Sequence, residues 1–389
     1  MKRPRLVYVV THPVTADALL RGQLAFMREQ GFDVTVVASP GPELDRVALR
    51  EGVRAVAVPM ARPIDPARDV VSLARLMRTL RDLRPDIVHA STPKAGLLGM
   101  LAARAIGVRI RIYLLRGLRL ETTAGPLRLV LSATERIAAS CADEVVCNSE
   151  SLRRAAVAGR HVPAAKARVL GAGSSNGVEI ERWSRTSERV DRGRALARAH
   201  GIADDEEVIG FVGRFDRDKG IVDLVDAFDR LRRRRPRARL LLVGGGFAGD
   251  LDPSVTARLE GARGVVALGK SDDLAPLYSR MDVLAFPSLR EGFPNVPLEA
   301  AAAGVVAVGY RSTGVVDAIA DGETGTIVPA RDVGALARAL ERYLEDGALR
   351  AAHALAATRR TERLFSREIV WQAWAEHYHA LLGPLATGP

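Results

Sequence analysis

The chain has 389 residues, 48% of them hydrophobic and 5% aromatic, with a formal net charge of +11. That size and apolar content point to two or three packed domains and exclude a globally disordered chain, and so few aromatics argue against a stacking platform for single-stranded nucleic acid. So basic a surface suits anionic partners (nucleic acid, a diphosphate, acidic lipid), but an arginine-rich solvated surface accounts for the charge equally well.

"RLVYVVT" reads as a first strand, followed by a helical stretch over residues 15–30. "DVTVVAS", "VRAVAVP", "DIVHAS", "VRIRIYLL" and "DEVVCNS" each read as a buried strand, with helical patterns between most of them. Continuous Val/Ile/Leu runs joined by helical crossovers predict a parallel sheet covered on both faces. Residues 1–175 therefore make one doubly wound α/β domain. Cys141 and Cys147, the only cysteines, form neither a metal-ligand set nor a disulfide framework, which fits a reducing cytosol. The apolar run from Leu6 to Val10 is too short for a signal-peptide core, and no stretch reaches the length of a membrane span. The expectation is a cytoplasmic protein, free or peripheral on the inner face of the cell membrane.

"GAGSSNGVEIERW", residues 171–183, is rich in Gly and Ser and reads as a hinge. The pattern then restarts. A polar helix, "DRGRALARAHGI", leads to the strands "VIGFVGR", "RLLLVGG", "VVALG", "VLAFPS", "VVAVGY" and "GTIVP", a second Rossmann-like domain over residues 176–365. The run Arg232 to Arg235 reads as a solvated helix end. Residues 366–389 begin as a long amphipathic helix that returns to the first domain, with Trp371, Trp374 and Tyr378 packed in core. Two such sheets facing each other leave a cleft, and their ligands bind beyond the carboxyl ends of the strands.

Three motifs lie at such strand ends. In "GFVGRFDRDKG", Gly213 and Arg214 end a strand, and Lys219 opens the next helix. A helix start offers unpaired N–H groups, Arg214 can bind two oxygens at once, and Lys219 adds a point charge, so the turn suits a diphosphate. The spacing of a P-loop is absent. "LLLVGGG" places Gly244 and Gly245 where backbone can approach a ligand, although Gly also simply makes turns. In "SLREGFPNVPLEAAAAG", Glu291 sits in a loop and Glu299 within a helix that follows a proline near its start. Carboxylates hydrogen-bond sugar hydroxyls well, whereas Glu299 alone would also read as a complement to the helix dipole.

Together "GRFDRDKG", "VGGG" and "EGFPNVPLEAAAAG" resemble the retaining GT-B glycosyltransferases of the large family four, whose two glutamates are spaced as Glu291 and Glu299 are here. The resemblance spans nearly the whole chain. It implies a hexosyltransferase that uses a nucleotide-sugar, with UDP expected over GDP or dTDP, and neither cofactor nor metal. By that resemblance Arg214 and Lys219 contact the donor diphosphate, Glu299 the ribose and Glu291 the transferred sugar. Gly213, Gly244, Gly245, Gly292, Phe293, Pro294, Asn295 and Val296 give donor contacts, and Lys270 belongs to the segment around the base.

The first domain then holds the acceptor. "STPK" sets Ser91 or Thr92 as an N-cap, Pro93 at the helix start and Lys94 at its N-terminus, either a second anion site or a cap with a solvated lysine. A strand ending at His89 precedes this turn, and Arg62, Arg116 and Arg119 follow other strands. These groups, with Thr11, are the candidate acceptor contacts, although His12 and His89 are more often structural than catalytic. "TPKAGLLG", "LLRGLRLET" and "SSNGVEIERW" resemble a branch that includes capsule, lipopolysaccharide and PglA-like enzymes. That implies a sugar on a polyprenyl diphosphate as acceptor, with a membrane surface as a possible partner and no nucleic acid. Where many family members carry a histidine before the glycine at 117, this chain has Arg116.

Breaking the sugar–phosphate bond places negative charge on the leaving diphosphate, which preorganised donors stabilise. No nucleophile stands out for double displacement, so front-face attack by the acceptor hydroxyl is the expected route to retention. A natural-product glycosyltransferase with a soluble acceptor and a nucleotide-sugar epimerase are the competing enzyme readings. A nucleic-acid-binding protein is the non-enzyme one.

Overall fold

The computed structural model describes residues 3–61, 63–245, 256, 259 and 262–383. The chain divides into two units, Met1–Gly177 with Arg367–Pro389, and Val178–Ser366. It passes from one to the other inside the Gly/Ser-rich segment.

The first unit is built on seven parallel strands: β1 (Arg5–Val9), β2 (Asp33–Ala38), β3 (Arg54–Ala57), β4 (Ile87–Ser91), β5 (Ile110–Leu115), β6 (Glu144–Cys147) and β7 (Ala167–Arg168). Their order is β3-β2-β1-β4-β5-β6-β7. Successive side chains of a strand point to opposite faces. Val7, Val9, Val88 and Ala90 therefore enter one core, and Leu6, Tyr8 and Ile87 the other. The C-terminal helix Arg367–Leu382 covers the second face, with Trp371, Trp374 and Tyr378 buried in it. The Tyr378 hydroxyl lies 3.1 Å from that of Tyr8 and 2.6 Å from His89 Nδ1. Among the described residues no helix is long and apolar enough to cross a membrane.

Three local expectations are corrected. The stretch over 15–30 is two helices, Pro13–Leu19 and Gln23–Glu29, separated at Gly22 with φ of 80°. The Gly22 N–H donates to buried Glu51 Oε1 at 3.0 Å, and a Cβ there would lie 2.6 Å from the Trp371 ring. A tertiary contact thus overrides the helical pattern. β4 continues two residues past His89, so His89 is inside the strand. β7, only two residues long, is too short to leave a periodic signal.

Among the described residues the second unit has six parallel strands: β8 (Glu207–Gly213), β9 (Ala238–Gly244), β10 (Val265–Leu268), β11 (Val283–Phe286), β12 (Val306–Tyr310) and β13 (Gly325–Val328). Their order is β10-β9-β8-β11-β12-β13. Helix Ile221–Arg232 buries Leu224, Val225, Phe228 and Leu231 at helical spacing against this sheet. The arginine run after it is not wholly solvated, because Arg235 pairs with Glu207 at 2.6 Å and with Glu345 at 3.2 Å. In each sheet the winding direction reverses beside the first strand of the unit, between β1 and β4 and between β8 and β11. These are the switch points at which doubly wound sheets receive ligands.

Candidate functional site

At the second unit's switch point, the loops after β8 and β11 are tied together. After Gly213 the chain makes a short 3-10 turn, Arg217–Lys219, capped by the Asp216 carboxylate, which accepts from the Lys219 N–H at 2.9 Å. Gly220, with φ of 70°, then starts helix Ile221–Arg232. The Lys219 ammonium forms an ion pair with Glu291, which also accepts from the Ser288 hydroxyl at 2.6 Å. The backbones join as well, since Leu289 N–H donates to Asp218 O at 2.8 Å. Arg290 pairs with the Asp218 carboxylate. Lys219 and Glu291 are 21% and 15% exposed, so each keeps an open side from which a ligand can displace the other.

The remaining donor-side candidates stand around this pair. Arg214 is half exposed and held by Asp216 at 2.7 Å. Gly213 and Gly244 are register partners at the ends of β8 and β9, and among the described residues nothing lies within 4 Å of where a Cβ on Gly245 would be. Lys270 is exposed beyond β10. Gly292 and Pro294 are buried, and Phe293 packs on Phe365 with ring centroids 5.0 Å apart. Asn295 precedes helix Val296–Ala302 without a side-chain cap bond, and that helix carries Glu299 in its first turn. The Glu299 carboxylate accepts from the buried Tyr278 hydroxyl at 2.9 Å.

Sequence reasoning passed over a third loop, after β12. There Thr313 O accepts the Glu291 N–H at 3.0 Å, and the Ser312 hydroxyl donates to Ser288 O at 2.6 Å. Gly314, with φ of 77°, lies so close that a Cβ would be 2.8 Å from Gly292 O. "RSTG" directly after a strand was the available signal. Asp216, Asp218 and Ser288 were also missed, because only folding shows what they hold.

The first unit's candidates divide differently. At its switch point Thr11 is buried, with its hydroxyl 2.7 Å from that of Thr92, and it accepts the Ala95 N–H at 3.1 Å. Thr92 is the N-cap of helix Pro93–Ala105 without a side-chain cap bond of its own. Lys94 is not solvated: it pairs with Asp69 at 2.5 Å and is 10% exposed. Arg116 donates to Ser175 Oγ at 2.7 Å, while its buried Nε and Nη2 have no hydrogen-bond partner among the described residues. Burial lowers its pKa to about 10, partly offset by Tyr378 and Tyr8. Burial also holds His89 well below its ordinary pKa, helped by the charges of Arg116 and His377, so it stays neutral between Tyr8 and Trp374. His12 caps helix Pro13–Leu19. Arg119 is exposed in the 3-10 turn Arg119–Glu121. Arg62 lies outside the described residues.

Comparison with known proteins agrees with both halves. Residues 17–173 match the glycosyl transferase 4-like domain, and residues 206–346 match glycosyl transferases group 1. The chain is 35% identical over 383 residues, 98% of each chain, to the capsular polysaccharide biosynthesis glycosyltransferase CapM of Staphylococcus aureus. It is 26% identical, over 84% of each chain, to the Escherichia coli UDP-Gal:alpha-D-GlcNAc-diphosphoundecaprenol alpha-1,3-galactosyltransferase. In fold it is similar to HepE of Anabaena, solved with UDP and glucose, at a TM-score of 0.80 and 20% identity over 96% of this chain and 99% of that one. WaaG, a glycosyltransferase of lipopolysaccharide biosynthesis, shares the fold at a TM-score of 0.70 and 16% identity, over 96% and 99%. With both halves matched and the likeness to CapM running nearly end to end, the chain belongs to the group 1 glycosyl transferases and is a glycosyltransferase of GT-B fold.

Proposed function

We propose that this glycosyltransferase moves a sugar from a UDP-sugar to a sugar carried on a polyprenyl diphosphate during cell-surface polysaccharide assembly, with retention and without a metal. The observation that carries the reading is the Lys219–Glu291 pair at the switch point of the second unit. A cation and a carboxylate side by side match the two ends of a sugar–diphosphate, Lys219 taking the phosphate oxygens and Glu291 the sugar hydroxyls. Arg214 adds a second cation after the same strand, and Glu299 takes the ribose. The names of the S. aureus and E. coli relatives, one a capsule enzyme and the other using UDP-Gal and a diphosphoundecaprenol acceptor, support the donor and acceptor classes.

As the bond from the anomeric carbon to the diphosphate oxygen breaks, charge grows on the leaving phosphate, where Lys219 and Arg214 stabilise it. Glu291 is engaged by Ser288 and Lys219, so we assign it to holding the sugar rather than to attack. The acceptor hydroxyl then attacks from the leaving-group face and gives its proton to the departing phosphate. A covalent glycosyl-enzyme caught by mass spectrometry would overturn this route. The test of the donor is calorimetry with UDP, GDP and dTDP, followed by product analysis with UDP-sugars and membrane extract. UDP is expected to bind tightest and label to enter the lipid fraction. Transfer only to soluble acceptors, or turnover of a UDP-sugar without acceptor, would instead favour the natural-product or epimerase readings.

A membrane-bound acceptor calls for a surface that meets lipid, and helix Pro126–Cys141 of the first unit supplies one. It leaves Leu127, Leu129, Val130 and Ile137 exposed by 40%, 73%, 45% and 44%. Exposed Arg128 and Arg136 lie among them. Apolar side chains interleaved with arginines suit the interface of an anionic bilayer. Burying one such side chain contributes about 1.5–3 kcal/mol. The double change Leu129→Glu and Val130→Glu is therefore expected to weaken sedimentation with phosphatidylglycerol vesicles by at least about tenfold. Unchanged sedimentation rules this helix out.

A further inference from the structure

We infer that the second unit carries a separate site for a small phosphate- or diphosphate-bearing anion, in an arginine-lined pocket at the amino ends of β8 and β11. The pocket has a volume of about 350 Å³ and is lined by Arg185, Arg194, Arg280, Arg350, Asp204 and Asp282 among others. Asp282 immediately precedes β11 and accepts the Val208 N–H of β8 at 2.8 Å, which places the pocket at the opposite ends of the two strands whose carboxyl ends lead to Lys219 and Glu291. With seven residues in β8, the two sites are about 20 Å apart at roughly 3.3 Å per residue.

Four guanidiniums meet two carboxylates here, and both carboxylates are already committed. Asp204 is held by Arg198 at 2.7 Å. Asp282 serves the Val208 N–H and lies 3.8 Å from Arg280 and 3.7 Å from Arg350. Arg185 and Arg194 are exposed, and their guanidiniums have no hydrogen-bond or ion-pair partner among the described residues. Arg280 is only 8% exposed; its Nη2 donates to Ala203 O at 2.8 Å and Glu206 O at 2.7 Å, yet its buried Nε has no partner there. The wall is rigid where Gly193 brings helix Ser187–Ala199 against helix Ala275–Arg280, since a Cβ at Gly193 would lie 2.2 Å from Pro276 O. Burial lowers the Arg280 pKa and Arg194 adds to this, against Asp282 and Asp204. Like charges gathered in a half-enclosed pocket repel one another, and a bound anion offsets that cost. Guanidinium forks fit phosphate oxygens two at a time, so the unused donors define the ligand's chemistry.

The test is a calorimetric titration of inorganic pyrophosphate into the full chain, into Lys219→Ala and into the double variant Arg185→Ala, Arg194→Ala. The two arginines have no partners to lose, and thermal melting checks that the double variant is folded. Wild type and Lys219→Ala are expected to share one binding event that weakens by at least about tenfold in the double variant, as loss of two charge-assisted contacts requires. Equal binding in the double variant, loss of all binding in Lys219→Ala, or no binding to wild type overturns the inference.

Discussion

Lys219→Ala is expected to lower kcat/KM by about tenfold to more than a hundredfold, because one charge-assisted hydrogen bond contributes about 1.5–3 kcal/mol. The thermal midpoint should fall as well, since the pair is only 21% and 15% exposed and the change leaves the Glu291 carboxylate without its cation. The structure adds a complication, because Lys219 also holds Glu291. The variant removes a cation and releases a carboxylate at once. Glu291→Gln separates the two effects, since it deletes the charge but keeps the shape and an acceptor for Ser288. If Lys219 served only to hold Glu291, the double variant would match Glu291→Gln alone. If Lys219 also meets the diphosphate, the double variant is slower than Glu291→Gln, and its UDP affinity falls as well. Activity of Lys219→Ala within about twofold of wild type would remove the ammonium from the reaction.

The central strands of both units could be read because β1, β4, β8 and β11 are buried along nearly their whole length and so are rich in Val, Ile and Leu. "VIGFVGR" and "VLAFPS" then located the ends after which Lys219 and Glu291 stand. What could not be read is what depends on residues distant in sequence. Asp218 meets Leu289 and Arg290 across some seventy positions, and its carboxylate looks like any surface acid in the chain. Thr11 and Lys94 follow β1 and β4, yet their side chains are occupied by Thr92 and Asp69, partners that a strand-end argument cannot supply. His89 was misplaced because "DIVHAS" gives no hint of the strand's last residue. Its burial comes from Trp374 and Tyr378, almost three hundred residues later. Gly22 interrupts a helix for a similar reason, the Trp371 ring from the far end of the chain.

The closeness of the two site loops predicts a second large effect, at Gly220. A Cβ there would lie 2.1 Å from Pro287 O and 2.9 Å from Pro287 C, and the residue has φ of 70°. Pro287 leads directly into the loop that carries Ser288 and Glu291, so a methyl group forces apart the backbones joined at Leu289 and Asp218. Gly220→Ala is expected to lower kcat/KM by at least about a hundredfold, since a shift of about 1 Å at a reacting group costs that much. It should also lower the thermal midpoint by several degrees. Part of the stability loss comes from placing a Cβ in the left-handed region, at about 1–2 kcal/mol. Gly201→Ala isolates that part, because Gly201 has φ of 77° and, among the described residues, nothing within 4 Å of the added atom. The control should therefore lose stability but keep its activity. If Gly220→Ala is no worse than Gly201→Ala in both measurements, the loops have room to spare, and the Lys219–Glu291 geometry does not depend on their contact.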